Sequence, residues 1–267
     1  MSYIPLYLEF IKIRLKRMIE YRAAFLTGAA AQIISYGSMF ILIWIMIRKF
    51  KTLNGWGPYE ILFLYALDLC SYALAGFFIF NLSNTLPVMI QTGELDDILT
   101  RPLNPFIHII CREFNIGYFA HVSLSVFIFI LCFIKLNIKM TAARIIFFIV
   151  TIIGAGLIQA AGLLFTSIPS FWLIQSNSLK YTLFYNVKSF IQYPVSLYNK
   201  GIQIFLTIVI PYAFINFYPA QFFLSKNDFL MFHPVFQYIT PVIGLLLFVL
   251  AYRFWVIGVN SYTSTGS

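Results

Sequence analysis

Long apolar stretches separated by short polar ones dominate the pattern along the chain. A helix that crosses a membrane needs about 20 consecutive, mostly apolar residues. Several stretches reach that length with few or no charged residues inside them. The pattern therefore predicts an all-α, polytopic membrane protein. Its six transmembrane helices are predicted over residues 23–47, 59–81, 114–134, 145–167, 201–224 and 234–258.

The beginning of the chain follows another pattern, in which apolar positions recur every three or four residues. The apolar positions are Ile4, Leu8, Ile11, Leu15 and Met18, and a second face holds Glu9, Lys12, Lys16 and Glu20. This spacing is typical of an amphipathic helix in the headgroup plane. We therefore predict an interfacial helix over residues 1–22 and a single transmembrane domain over residues 23–267. The alternative for residues 1–22 is a solvated leader that only orients the first span.

Residues 178–199 are apolar, but polar residues and a proline interrupt them. The interruptions are Lys180, Asn186, Lys188, Gln192 and Pro194. Because this stretch is more polar than the six predicted spans, we predict an interfacial or re-entrant helix. A seventh span is the alternative.

The composition excludes several classes of protein. Hydrophobic residues make up 61% of the 267 residues and charged residues 10%, whereas a soluble domain is roughly half apolar and about a quarter charged. A soluble enzyme, a disordered chain and a nucleic-acid-binding domain are therefore excluded. The net charge of +9 comes from Lys and Arg between the apolar runs, where membrane proteins place their anchors. The basic cluster near the N-terminus predicts that both termini are cytoplasmic.

Motifs for catalysis are absent from the sequence. It contains no GxxxxGK(S/T) phosphate loop, no HExxH and no GxSxG, so it lacks the common means of nucleotide or ester hydrolysis. The cysteines Cys70, Cys111 and Cys132 are widely spaced. We predict no catalytic residue, no metal and no bound cofactor, and the chain is not expected to be an enzyme.

The polar stretch between the second and third predicted spans favours a short, rigid helix that faces the cytoplasm. A glycine ends the preceding helix, acidic residues suit the first turn of the next one, and a proline stops it. Three apolar residues give that helix an apolar face for a partner, and an arginine falls in its last turn. The residues assigned to this docking helix, within residues 91–104, are Gly93, Glu94, Leu95, Asp96, Asp97, Ile98, Leu99, Arg101 and Pro102.

Three polar or helix-breaking residues inside predicted spans are candidates for a translocation path. Asp68 lies inside the second span, and a buried acid in a membrane helix indicates function by default. It can pair with a cation on another span, line a water-filled path or meet cationic cargo; the alternative is a hydrogen bond to a neighbouring side chain. Pro211 and Asn216 interrupt the fifth span, and broken helices commonly line a cavity. A simple kink is the alternative there.

The motifs GELD at residues 93–96 and LTRPLNP at residues 99–105 carry a resemblance to a known family. The chain resembles permease subunits of ATP-binding-cassette transporters of the type-two (ABC-2-like) exporter superfamily. The match is to a bacterial branch with paired permease genes. Weaker matches are GW at 55–56, SFW at 170–172, YPVS at 193–196, IPYAF at 210–214, PA at 219–220 and GVNSY at 258–262.

The resemblance implies a function and a set of partners. Residues 91–104 look like the segment that docks into a cytoplasmic ATPase. The expected assembly contains two ATPase subunits, which bind ATP and Mg, and a second permease that is identical or homologous. Membrane lipid is a further expected partner, nucleic acid is not, and the expected location is the bacterial cell membrane. The competing hypotheses are an ATP-independent carrier and a non-transporting scaffold subunit, and the cargo stays open.

Overall fold

The computed structural model describes residues 4–20, 22–49, 52–173 and 177–263, and these residues are mainly helical. Apolar runs form the long helices, and glycine, proline and polar residues mark the breaks. The helices in chain order are α1 (Ile4–Glu20), α2 (Arg22–Lys49), α3 (Pro58–Thr92), α4 (Glu94–Leu99), α5 (Pro105–Arg112), α6 (Ile116–Lys135), α7 (Ala142–Phe171), α8 (177–192), α9 (Lys200–Val209), α10 (Tyr212–Leu224) and α11 (Thr240–Ser261).

Among the described residues, four helices are long and apolar enough to cross a membrane, namely α3, α6, α7 and α11. They confirm the second, third and fourth predicted spans within a few residues, except that α3 continues to Thr92. The sixth span was predicted from residue 234, but α11 begins at Thr240 because a separate short turn, Pro234–Gln237, precedes it. The first predicted span falls on α2, several of whose side chains lie outside the described residues, and it stays a prediction.

The region of the fifth predicted span, residues 201–224, is folded differently from the prediction. It consists of α9 and α10, which are bent by 79° relative to each other. Ser196, just before α9, accepts a hydrogen bond from Asn54 Nδ2 (3.1 Å), and Lys226, just after α10, donates to the Gly55 carbonyl (2.9 Å). Both ends therefore lie at the same end of the bundle. One straight span is not observed here: α9 and α10 form a bent pair, the α9–α10 hairpin, whose two ends both lie beside residues 54–55.

Helix α8 runs beside α3 in the opposite direction. Its first residues contact the second half of α3, where Lys180 Nζ donates to the Ser83 carbonyl (2.9 Å). Its last residues lie beside the first half of α3, where Asn216 Nδ2 bridges the carbonyls of Ile191 and Leu64. The backbone of α8 is π-helical over Lys180–Asn186. The segment thus leads from one end of the bundle to the other.

Helix α3 is the centre of the fold and is almost wholly buried among α6, α7 and α8. Helix α1 lies within the predicted N-terminal segment and packs on α5, with the Phe10 and His108 rings 5.1 Å apart; its interfacial position stays a prediction. Its Leu8 side chain is exposed. The side chains of three residues of the predicted apolar stripe, Ile4, Leu15 and Met18, lie outside the described residues.

Helices α7 and α11 pack closely because glycines face each other. A Cβ atom placed on Gly244 would lie 2.1 Å from the Gly154 carbonyl oxygen, and one on Gly154 would lie 2.5 Å from Pro241 Cα. Small residues of this kind allow helix backbones to approach in membranes. The pair therefore has no room for a side chain at either glycine.

Candidate functional site

The predicted docking segment begins at a glycine with a left-handed backbone. Gly93 has φ of +74° and separates α3 from α4, a conformation that costs other residues a steric penalty. This confirms the predicted break between two helices. Helix α4 ends at Leu99, so Arg101 lies two residues beyond it rather than in its last turn, and Pro102 follows.

The apolar side of α4 faces the chain itself and not the surroundings. Leu95 is 0% exposed and Ile98 is 2% exposed, and Leu99 packs against the same core. The prediction that these side chains form an apolar patch for a partner is therefore wrong. Periodicity identified an apolar face correctly, but it does not say which neighbour covers that face.

Ionic and polar contacts fix the segment to other helices. Arg112 at the end of α5 forms an ion pair with Glu94 and a second one with Glu113, in which Nε and Oε1 are 3.1 Å apart. Asn104 Oδ1 accepts a hydrogen bond from the Ile107 N–H (3.2 Å) and so caps α5. Its Nδ2 also lies 3.4 Å from the Tyr252 hydroxyl of α11. The segment is thus held by α3, α5 and α11 together.

Sequence reasoning did not assign these fixing residues. The pair Asn104-Pro105 carries a recognisable signal, because asparagine is a preferred N-cap and proline is favoured in the first turn. Arg112 gave no comparable signal, since its partner Glu94 lies on another helix. His108 on α5 is also buried. Burial, with the nearby charges of Arg101 and Arg112, lowers the pKa of His108 below its usual value, so His108 is neutral at pH 7.

The outward side of the segment is polar. Asp97, Thr100, Arg101 and Pro102 are exposed. The Thr100 hydroxyl donates to the Asp97 carbonyl oxygen (3.1 Å), which stiffens the end of α4. A soluble partner at this surface meets a carboxylate and a guanidinium on a rigid support.

Asp68 is the centre of a buried polar network. Its Oδ1 lies 3.2 Å from Lys188 Nζ of α8. Gln159 Nε2 of α7 donates to the same oxygen (3.1 Å), to the Asp68 carbonyl (2.9 Å) and to Ser71 Oγ (2.7 Å). The Lys188 ammonium also lies 3.8 Å from the centre of the Tyr72 ring. Two of the predicted possibilities are therefore observed together: pairing with a cation from another segment, and a hydrogen bond from a neighbouring side chain that joins two helices.

A second lysine of α8 is held by α3 as well. Lys180 is 3% exposed, and its Nζ donates to the Ser83 carbonyl and to Asn84 Oδ1 (2.6 Å). The two lysines that made α8 look unsuitable for the interior, Lys180 and Lys188, are therefore satisfied there. A polar group buried without such partners would carry a large penalty.

None of three cavities formed by described residues is lined by all three candidates for a translocation path. Asn216 is buried and contacts Leu64, one helical turn from Asp68 on α3. Pro211 lies in the bend between α9 and α10 and lines a cavity of about 230 Å³ with Thr166 and Tyr212. Within the described part of the chain, no group of three or more His, Cys, Asp or Glu side chains is placed to hold a metal ion.

The long apolar helices define a multi-pass membrane protein. The chain belongs to the ABC-2 transporter family, since the family model described as "ABC-2 family transporter protein" matches residues 33–266. Membership implies a membrane transport component that associates with an ATPase subunit and is not itself catalytic. No curated protein and no solved structure matches the chain.

Proposed function

We propose that the chain is the permease subunit of an ATP-driven exporter and that a cytoplasmic ATPase docks on residues 91–104. The observation that carries the proposal is the rigid mounting of this segment. Its apolar side is buried in the permease, the Glu94–Arg112 pair joins it to α5, and Asp97 and Arg101 remain outside. A displacement of the exposed side is therefore transmitted to the membrane helices.

The proposed assembly has two such permeases, identical or homologous, above two ATPase subunits. ATP and Mg bind in the ATPase subunits, because this chain has no phosphate loop. Cargo crosses, or enters from the membrane, between the permeases. Asp68 and Asn216 serve in this proposal to hold α3, α7, α8 and α10 together, and Pro211 is the candidate that borders open space.

The proposed topology has both termini in the cytoplasm of a bacterial cell. In this arrangement α2, α3, α6, α7, α8 and α11 cross the membrane, and α9 with α10 re-enters from the outer face. The path of α8 along α3 supports a crossing there, and the contacts of Ser196 and Lys226 with the loop at Asn54 and Gly55 support a re-entrant hairpin.

Charge reversal on the exposed side of the segment tests the docking proposal. Arg101→Glu should lower co-purification of the ATPase that accompanies the wild-type chain by about tenfold, equivalent to about 1.4 kcal/mol. The permease should still insert, since Arg101 is exposed. Leu95→Ala is unsuitable, because Leu95 belongs to the core of the permease.

Lys200→Glu is the matched control, since Lys200 is exposed at the opposite end of the bundle and the charge change is the same. Pull-down of the ATPase and ATP hydrolysis in reconstituted membranes are the measurements. If Arg101→Glu and Asp97→Lys both keep wild-type ATPase binding and hydrolysis, the ATPase docks elsewhere.

A further inference from the structure

A polar pocket lies at the end of the bundle opposite the docking segment. It has a volume of about 420 Å³ and sits between the start of α3, the loop joining α6 to α7, and the end of α10. Its polar lining includes Glu60, Asn137, Lys139, Arg144 and Ser225. Nothing in the proposed exporter function uses this pocket.

The pocket carries uncompensated positive charge. Its one acidic residue, Glu60, is already engaged, because its Oε2 accepts from the Gly57 N–H (2.6 Å) and lies 3.0 Å from Lys226 Nζ. For the Lys139 ammonium and the Arg144 guanidinium, the described residues provide no acidic partner. Two cations therefore face a cavity in which the one acidic residue of the lining, Glu60, is already paired with Lys226.

The arginine is held in position before any ligand arrives. Arg144 Nη1 donates to the Lys139 carbonyl oxygen (3.1 Å), and the guanidinium lies 5.5 Å from the centre of the Phe222 ring. The Arg144 N–H also approaches the side chain of Thr141, which caps α7 (3.4 Å). A fixed guanidinium loses little freedom on binding, and its planar fork suits phosphate oxygens.

The depth of the pocket indicates where its ligand comes from. The loop at residues 136–141 joins α6 and α7, which are both candidate spans, so it lies where the bilayer ends. The segment from Lys135 to Arg144 contains three basic residues and no acidic one. In the proposed orientation it is outside, where basic residues are disfavoured in short loops.

We propose that this pocket binds the phosphate group of an anionic phospholipid in the adjacent leaflet. Arg144 contacts two phosphate oxygens, Lys139 neutralises the remaining charge, and Asn137 and Ser225 are placed to contact the polar headgroup. Only the assignment to the outer leaflet rests on the proposed function. Binding itself depends neither on the orientation nor on the ATPase.

The test uses the full chain in bilayers of phosphatidylcholine, with and without phosphatidylglycerol, at constant ionic strength. Phosphatidylglycerol should raise the midpoint of thermal unfolding, and Lys139→Gln should remove most of that rise. Lys135→Gln is the matched control, because it makes the same charge change on the same exposed segment outside the pocket. Lys135→Gln should keep the rise.

In a third arm, inorganic phosphate is added to phosphatidylcholine bilayers. It should not raise the midpoint of thermal unfolding. An equal rise with inorganic phosphate would assign the pocket to a free anion and overturn the lipid proposal. An equal loss in Lys135→Gln and Lys139→Gln would reduce the effect to general surface charge and also overturn it. If phosphatidylglycerol did not raise the midpoint of thermal unfolding of the wild-type chain, the proposal would also be overturned.

Discussion

The ion pair between Asp68 and Lys188 is a buried residue-level constraint on the bundle. It joins α3 to α8, and Gln159 extends the contact to α7. Asp68 is 5% exposed, so neither water nor lipid headgroups replace a lost partner. Removing one member of a buried pair leaves an uncompensated charge, whereas replacing both by apolar residues is often nearly neutral.

We expect Asp68→Leu and Lys188→Met each to destabilise the folded chain by about 3–5 kcal/mol. The double variant should recover most of that loss, because no unpaired charge remains. Thermal unfolding in detergent gives the three values needed for a double-mutant cycle. Asp97→Leu, at an exposed acid, is the control and should change stability little. Strictly additive losses in the double variant would contradict the role of the pair.

At the scale of elements, the contact of α7 with α11 depends on two glycines. A methyl group at Gly244 has no space, since its Cβ would overlap the Gly154 carbonyl. Gly244→Ala should therefore destabilise the chain by about 1–3 kcal/mol, as overpacking usually does. The midpoint of thermal unfolding is the measurement.

Gly28→Ala is the matched control, because Gly28 also lies in a helix and a Cβ there meets no atom within 4 Å. Alanine favours helix over glycine, so this variant should be neutral or slightly more stable. Equal losses in the two variants would mean that the α7–α11 contact is looser than the structure indicates.

The sequence predicts apolar helices well but not the direction in which the chain runs. Hydropathy located α3, α6, α7 and α11, because a run of apolar residues is a local property. For residues 178–199 it favoured an interfacial or re-entrant helix over a seventh span, since Lys180 and Lys188 look unsuitable for the interior until their partners on α3 are known. It also assigned residues 201–224 to one continuous span, because composition does not reveal the bend between α9 and α10.

The docking segment shows the same division between local and tertiary information. Gly93, the acidic first turn and Pro102 placed α4 correctly, since these signals act within a few residues. The burial of Leu95 could not be predicted, because it depends on helices that are distant in sequence. The ion pair between Arg112 and Glu94 could not be predicted from the sequence for the same reason.

For the whole molecule, the position of Lys200 distinguishes the structure from the sequence prediction. With cytoplasmic termini and six spans, the sequence prediction puts residues 168–200 in the cytoplasm. In the structure Ser196 contacts Asn54, at the same end as Lys226. If α8 crosses the membrane, Lys200 is outside together with Lys139 and Asn227.

Single cysteines in a background without Cys70, Cys111 and Cys132 test this topology. Lys200→Cys, Lys139→Cys and Asn227→Cys should react with an impermeant thiol reagent in sealed cells. Asp97→Cys should react only after permeabilisation. If Lys200→Cys were protected while Lys139→Cys and Asn227→Cys were labelled, α8 would lie at one face of the membrane and would not cross it.

Helix α11 contacts both the region of the docking segment and the α9–α10 pair. Its Tyr252 and Trp255 lie against Asn104 and Phe106 beside the docking segment, and its Thr240 hydroxyl donates to the Phe214 carbonyl in the hairpin (2.9 Å). A helix of 22 residues is a stiff rod of about 33 Å. In the proposed exporter, a displacement of the docking segment would therefore reach the α9–α10 pair through one helix, without an intervening relay.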